Sequence, residues 1–125
     1  MKNKELLENL SEIKNEYALE EISIFDSEGY VLHTTQEGDF QAHNQYYGLP
    51  AGAAKLISDS YNQECEGVIM ELEYTEFFLR FLREDDEMRK DVILSLEYEP
   101  NSKEREKLKS IIEDINELIL EWESG

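Results

Sequence analysis

From Lys2 to Tyr17 the apolar residues Leu6, Leu10, Ile13 and Tyr17 return every three or four positions, Leu7 widens the stripe, and charged residues fill the rest. That period predicts an amphipathic helix. The period then changes. In LEEISIFD, Ile22 and Ile24 occupy alternate positions, and beyond Asp26, Ser27, Glu28 and Gly29 the stretch YVLHTT continues with Val31 and the β-favouring Thr34 and Thr35. Two strands joined by a tight turn are expected. The acidic stretch between them could also be read as a metal-binding loop. A calcium loop needs oxygen ligands at regular alternate positions and a distant closing Glu, and only Asp26 and Glu28 keep that rhythm. Asp and Ser side chains close turns by bonding nearby backbone, and Gly29 can take the positive φ of a hairpin or bulge, so the turn is the stronger reading.

QEGDFQAHNQYYGLP is polar and turn-rich. AGAAKLISDSYNQEC regains helical spacing through Ala53, Ala54, Leu56, Ile57 and Tyr61, with Pro50 suited to the first turn. Its early Ala and Gly residues permit close approach of another backbone, either a sheet or a second copy of the helix. Alternation returns in GVIMELEY after Gly67, and again in EFFLRFLRE, where Phe77, Leu79 and Phe81 share one face and Phe78, Arg80 and Leu82 the other. The second of those faces is mixed, which suits partial cover by a helix or a partner. EDDEMRKD makes a charged connection to DVILSLEYEP, a strand with Val92, Leu94, Leu96 and Tyr98 on one face and Pro100 as its stop. Asn101 can cap the last helix with Glu104 three residues on, and Leu108, Ile111, Ile112, Ile115, Leu118, Ile119 and Trp122 form a long apolar stripe that needs a floor. The order is helix, strand, strand, helix, three strands, helix, an α+β layered domain with an antiparallel meander.

Length and charge narrow the function. A chain of 125 residues affords one core, and residues 1–125 are expected to form a single domain. Apolar content of 40% is too high for a disordered acidic tail, despite a net charge of -18. Such an excess of carboxylates repels phosphate backbones and anionic lipids, so nucleic-acid binding is not expected. Cys65 is the only cysteine and no segment has the apolar length of a signal peptide or membrane span; a soluble, cytoplasmic protein without membrane insertion is the expectation.

Motifs for chemistry do not assemble. GLPAGAAKLIS lacks both the glycine spacing of a phosphate loop and a hydroxyl beside Lys55; His33 and His43 stand ten positions apart without zinc-site partners; Ser58 and Ser60 lie outside any nucleophile elbow. Neither a cofactor nor a catalytic set is expected. One feature of the charge distribution stands out. Lys103, Arg105, Lys107 and Lys109 place four of the twelve Lys and Arg residues near the start of the last helix, where the helix dipole does not favour them. Local pairing with neighbouring acids accounts for this in one reading, a contact patch for an acidic partner in the other.

ELLENLSEIKNEYALEEISIFDSEGYVLHTT, AGAAKLISDSYNQECEGVIMELEYTEFFLRFL, DVILSLEYEP and a terminal helix, taken in that order, resemble the roadblock family, named from dynein-associated light chains. The most telling match is the opening helix, apolar strand, D-x-x-G turn through Asp26 and Gly29, and second strand; the acidic LEEI and the long, highly charged final helix depart from the pattern. The resemblance implies a roadblock/profilin-like fold: a five-stranded antiparallel sheet sandwiched by helices in the order α-β-β-α-β-β-β-α. It also implies a homodimer whose second helices and third strands meet across a two-fold axis. This would place Ala53, Ala54, Ile57 and Tyr61 at the helix contact and Val68, Ile69, Met70 and Glu71 along the joining strand.

The resemblance further implies a non-enzymatic scaffold or regulator of a Ras-like small GTPase, or an adaptor in a motor or signalling assembly. A second class is a small-molecule sensor with a pocket between sheet and helices, suggested by His43, Tyr46 and Tyr47 near a loop. An enzyme is the weakest of the three classes.

Overall fold

A computed structural model describes residues 2–26, 30–36, 56–63, 65–82, 92–100 and 106–124. Helix α1 spans Asn3–Glu16, and strands β1 (Glu21–Asp26) and β2 (Val31–Thr34) follow. Helical residues 56–61 are the described part of α2. Strands β3 (Gly67–Glu71), β4 (Glu76–Leu82) and β5 (Val92–Tyr98) and helix α3 (Leu108–Ser124) complete the order the hydrophobic pattern predicts. The capping positions Asn101 and Glu104 lie outside the described residues.

Local chemistry explains the junctions. α1 ends as Ala18 takes a φ of 53°, which lets the N–H of Leu19 return to the carbonyl of Lys14 at 2.9 Å and that of Ala18 to Asn15 at 3.4 Å. This is a Schellman closure with alanine at the position glycine usually fills. At the β1–β2 hairpin, Tyr30 donates its N–H to Asp26 Oδ1 at 2.9 Å, and Asp26 donates its own N–H to the Tyr30 carbonyl at 2.9 Å. The acid therefore works as a turn-closing group. A register shift between Ile24 and Phe25 marks a bulge beside the turn.

The five strands pair in the order β2-β1-β5-β4-β3, antiparallel throughout. β5 is central, with Leu94 opposite Ile24 on one side and Arg80 on the other. Val92 through Leu96 are buried without interruption, as suits the central strand of the sheet. On one face Ile22, Ile24, Leu94, Leu96 and Tyr98 meet Leu6 and Leu10 of α1 and Ile111, Ile115 and Ile119 of α3. This is the floor the α3 stripe requires. Two polar contacts hold the helices antiparallel: the Tyr17 hydroxyl donates to Asp114 Oδ2 at 2.8 Å, and Trp122 Nε1 donates to Asn3 Oδ1 at 2.9 Å. The Trp122 ring also meets His33 edge-on, with centroids 4.9 Å apart. Burial holds the His33 pKa below the usual imidazole value.

On the opposite face Phe25, Leu79 and Ile93 are buried, while Val31, Val68, Met70, Phe77 and Phe81 pack around them half-exposed. The β4 alternation follows the sequence reading, with Phe77, Leu79 and Phe81 on this side and Phe78 and Leu82 against the helix-covered core.

Candidate interface

β3 is an edge strand, and its hydrogen-bond parity can be read from its ends. Phe81 donates its N–H to the Glu66 carbonyl at 3.0 Å, and Leu72 donates to Thr75 at 2.8 Å. The even-numbered residues therefore bond to β4, which leaves the backbone N–H and C=O of Gly67, Ile69 and Glu71 turned away from it. An edge of this kind is a template for another strand. The side chains of the segment divide between the two faces. Val68 and Met70 pack into the cluster around Leu79, whereas Ile69 is 41% exposed and Glu71 is exposed.

Of the residues expected at the helix contact, Ala53 and Ala54 lie outside the described residues. Ile57 and Tyr61 are 60% and 73% exposed, and Leu56 beside them is 71% exposed. Leu72 and Tyr74, at the turn after β3, are exposed as well. Among the described residues, the large exposed apolar side chains thus gather in α2 and around β3, apart from Tyr30 and Leu32 near the hairpin. Scattered exposed apolar residues are ordinary; here several fall within the one chain segment that runs from α2 through β3 to its following turn.

A polar seam crosses the same sheet face as Phe25 and Leu79. Glu21, only 7% exposed, stands opposite Glu97 in the β1–β5 register. Its Oε1 accepts hydrogen bonds from the Ser23 hydroxyl at 2.8 Å and the Thr34 hydroxyl at 3.1 Å. Burial, then the hydrogen bond and charge of Glu21, then Glu20, push the Glu97 carboxyl up to about 8, so it carries its proton at neutral pH. The acidic LEEI is plain in the sequence, but nothing local places Glu97 across from it, because strand register is a tertiary fact.

The basic cluster resolves in part. Lys103 and Arg105 lie outside the described residues, while Lys107 and Lys109 are exposed at the start of α3. Lys109 lines a half-open cavity of about 370 Å³ together with Leu108, Ile112 and Glu113 of α3 and Glu66, Phe78 and Arg80 of the sheet. Arg80 lies 3.5 Å from Glu66 through Nη1. Its part in this cavity was not legible from sequence, where it read only as a charge on a mixed strand face. His43, Tyr46 and Tyr47, the sequence-level motive for a ligand pocket, lie outside the described residues. Among the described residues no helix is long and apolar enough to cross a membrane.

No protein-family model matches the sequence, and no curated protein does. Solved structures do match. Myxococcus xanthus MglB aligns over 97% of this chain and 99% of its own at a TM-score of 0.69 and 9% identity. An MglB with a tetrameric arrangement aligns over 94% and 90%, at 0.65 and 16% identity. A Roadblock/LC7 domain from Streptomyces avermitilis aligns over 82% and 81%, at 0.54 and 12% identity. The strand order, the three helices and these likenesses establish that this chain has the roadblock/LC7 fold.

Proposed function

We propose that the chain is a non-enzymatic interaction module that forms a homodimer and, as a dimer in the cytoplasm, regulates or scaffolds a Ras-like small GTPase or a larger motor or signalling assembly. The observation that carries this reading is the edge of β3, whose outward backbone groups lie in one chain segment with the exposed Leu56, Ile57 and Tyr61 of α2. Two copies of such an edge can pair about a two-fold axis through Ile69, joining two five-stranded sheets and bringing the apolar α2 side chains towards one another. Similarity to an MglB with a tetrameric arrangement supports self-association. The roadblock fold, whose family commonly serves small GTPases and multiprotein assemblies, supports the class of partner. The residues that hydrolyse GTP would belong to that partner, and the dimer would act by binding one conformation of its switch segments better than the other.

Light scattering checks the dimer. Ile57→Lys places a charge in the apolar contact and should reduce the mass to that of one chain while the circular dichroism spectrum is retained; an unchanged dimer mass removes Ile57 from the interface. For the partner, GTP turnover by the host's small GTPases is compared with and without the protein. If neither turnover nor binding changes for any of them, the GTPase reading fails.

A further inference from the structure

The two helices on the dry face of the sheet leave part of it uncovered. α1 packs on β1 and α3, and between the first turns of α3 and β4 a cavity of about 370 Å³ remains. That volume lies within the range of small-ligand sites. Its walls separate by chemistry. Phe78, Leu108 and Ile112 supply apolar surface, while Arg80 and Lys109 bring cationic groups, one from the sheet and one from the helix. Gly67 leaves room for the Phe78 ring: a Cβ there would meet that ring at 3.1 Å and the Leu79 carbonyl oxygen at 2.8 Å.

The cations are unusual for this molecule. The chain carries a net charge of -18, yet two of the six described Lys and Arg residues line this one cavity, and Lys107 lies two positions from Lys109. Among the described residues, the two cations together make one long ion pair. Arg80 has five N–H donors, and its contact with Glu66 is long, at 3.5 Å, to a carboxylate side chain that is 77% exposed. Lys109 has no ion pair among the described residues.

We propose that this cavity binds a small amphiphilic monocarboxylate, with its apolar body against Phe78, Leu108 and Ile112 and its carboxylate on Arg80 and Lys109. Glu66 and Glu113 in the same lining select against ligands with several negative charges, since each added charge is repelled by these two and by the acidic surface as a whole. The same reasoning favours a small molecule over an acidic peptide. The test reads ligand binding rather than chain mass or GTP turnover, so the proposal stands or falls apart from the dimer and the GTPase reading.

The test titrates the full chain with decanoate and with decyltrimethylammonium, both below micelle formation, and follows amide shifts by NMR with heats by calorimetry. Decanoate should bind with a Kd on the order of 0.1 mM, a modest value for so small and flexible a ligand. It should perturb Phe78, Arg80 and Ile112, and the cation should bind at least about tenfold more weakly. In the double variant Arg80→Gln, Lys109→Gln, both at positions with exposed or half-exposed side chains, decanoate affinity should fall about tenfold or more with an unchanged melting temperature. Absence of decanoate binding up to about 2 mM, some twenty times the expected Kd, overturns the proposal. So does equal binding of the cation, an unaltered affinity in the double variant, or shifts confined to other residues. Binding of an acidic peptide with apolar anchors at these residues, where decanoate does not bind, also overturns it by assigning the cavity to a protein partner.

Discussion

The two faces of the sheet are built to different standards. On the side of α1 and α3, Ile22, Leu94, Leu96, Tyr98, Ile111 and Ile115 are wholly shielded, and two helices close over them. On the other side, Phe25, Leu79 and Ile93 are the buried apolar residues among those described; Val68, Met70, Phe77 and Phe81 are half-buried, and carboxylates and hydroxyls from Glu21, Ser23, Thr34 and Glu97 share the face. The first face is a core whose free energy comes from apolar area removed from water. The second, with the β3 edge that adjoins it, shields less apolar area within a single chain. Apolar shielding is thus concentrated on one side of the same five strands.

The largest effect should come from Ile115→Ala, which opens a cavity in the shielded core and should cost about 4 kcal/mol in denaturant unfolding, whereas Met70→Ala on the open face should cost about 1 kcal/mol in the monomer. Equal costs would break the contrast between the faces. A change at the edge sharpens it. In Ile69→Pro the lost N–H is one that points away from β4, so the monomer should keep its fold, while strand pairing between two copies should fail. Analytical ultracentrifugation should then report a single-chain mass for this variant with a native spectrum.

The smallest of the three effects is electrostatic. Glu97 titrates at about 8 in the folded chain against 4.5 ordinarily, so the folded state holds a proton that the unfolded state releases. Its contribution is complete below pH 4.5 and is lost as pH rises through 8. Glu97→Gln keeps a neutral hydrogen-bonding group at every pH. It should match the parent near pH 5 and exceed it near pH 9 by about 1–2 kcal/mol, a figure already reduced for solvent screening of this half-exposed group. Thermal melts across that interval check it, and a constant difference at all pH values would mean that the seam between Glu21 and Glu97 acts through packing alone.

What could be read from the chain alone follows from periodicity. The 3.6-residue stripe of α3 and the two-residue alternation of β4 and β5 are local consequences of which side chains must leave water, and they specified element type, order and the shielded face. The turn chemistry of Asp26 was equally local. The β1–β2 hairpin and the meander of the last three strands were legible too, but sequence could not establish that β1 and β5 become neighbours, because β5 lies between β1 and β4 only after the chain doubles back, nor the register that brings Glu97 opposite Glu21 and Phe78 opposite Ile69. Nor could it foresee the cavity, whose walls come from Glu66, Phe78 and Arg80 on one side and residues 108–113 on the other. Periodic burial is encoded residue by residue, whereas an edge, a facing acid pair and a cleft exist only where distant segments meet.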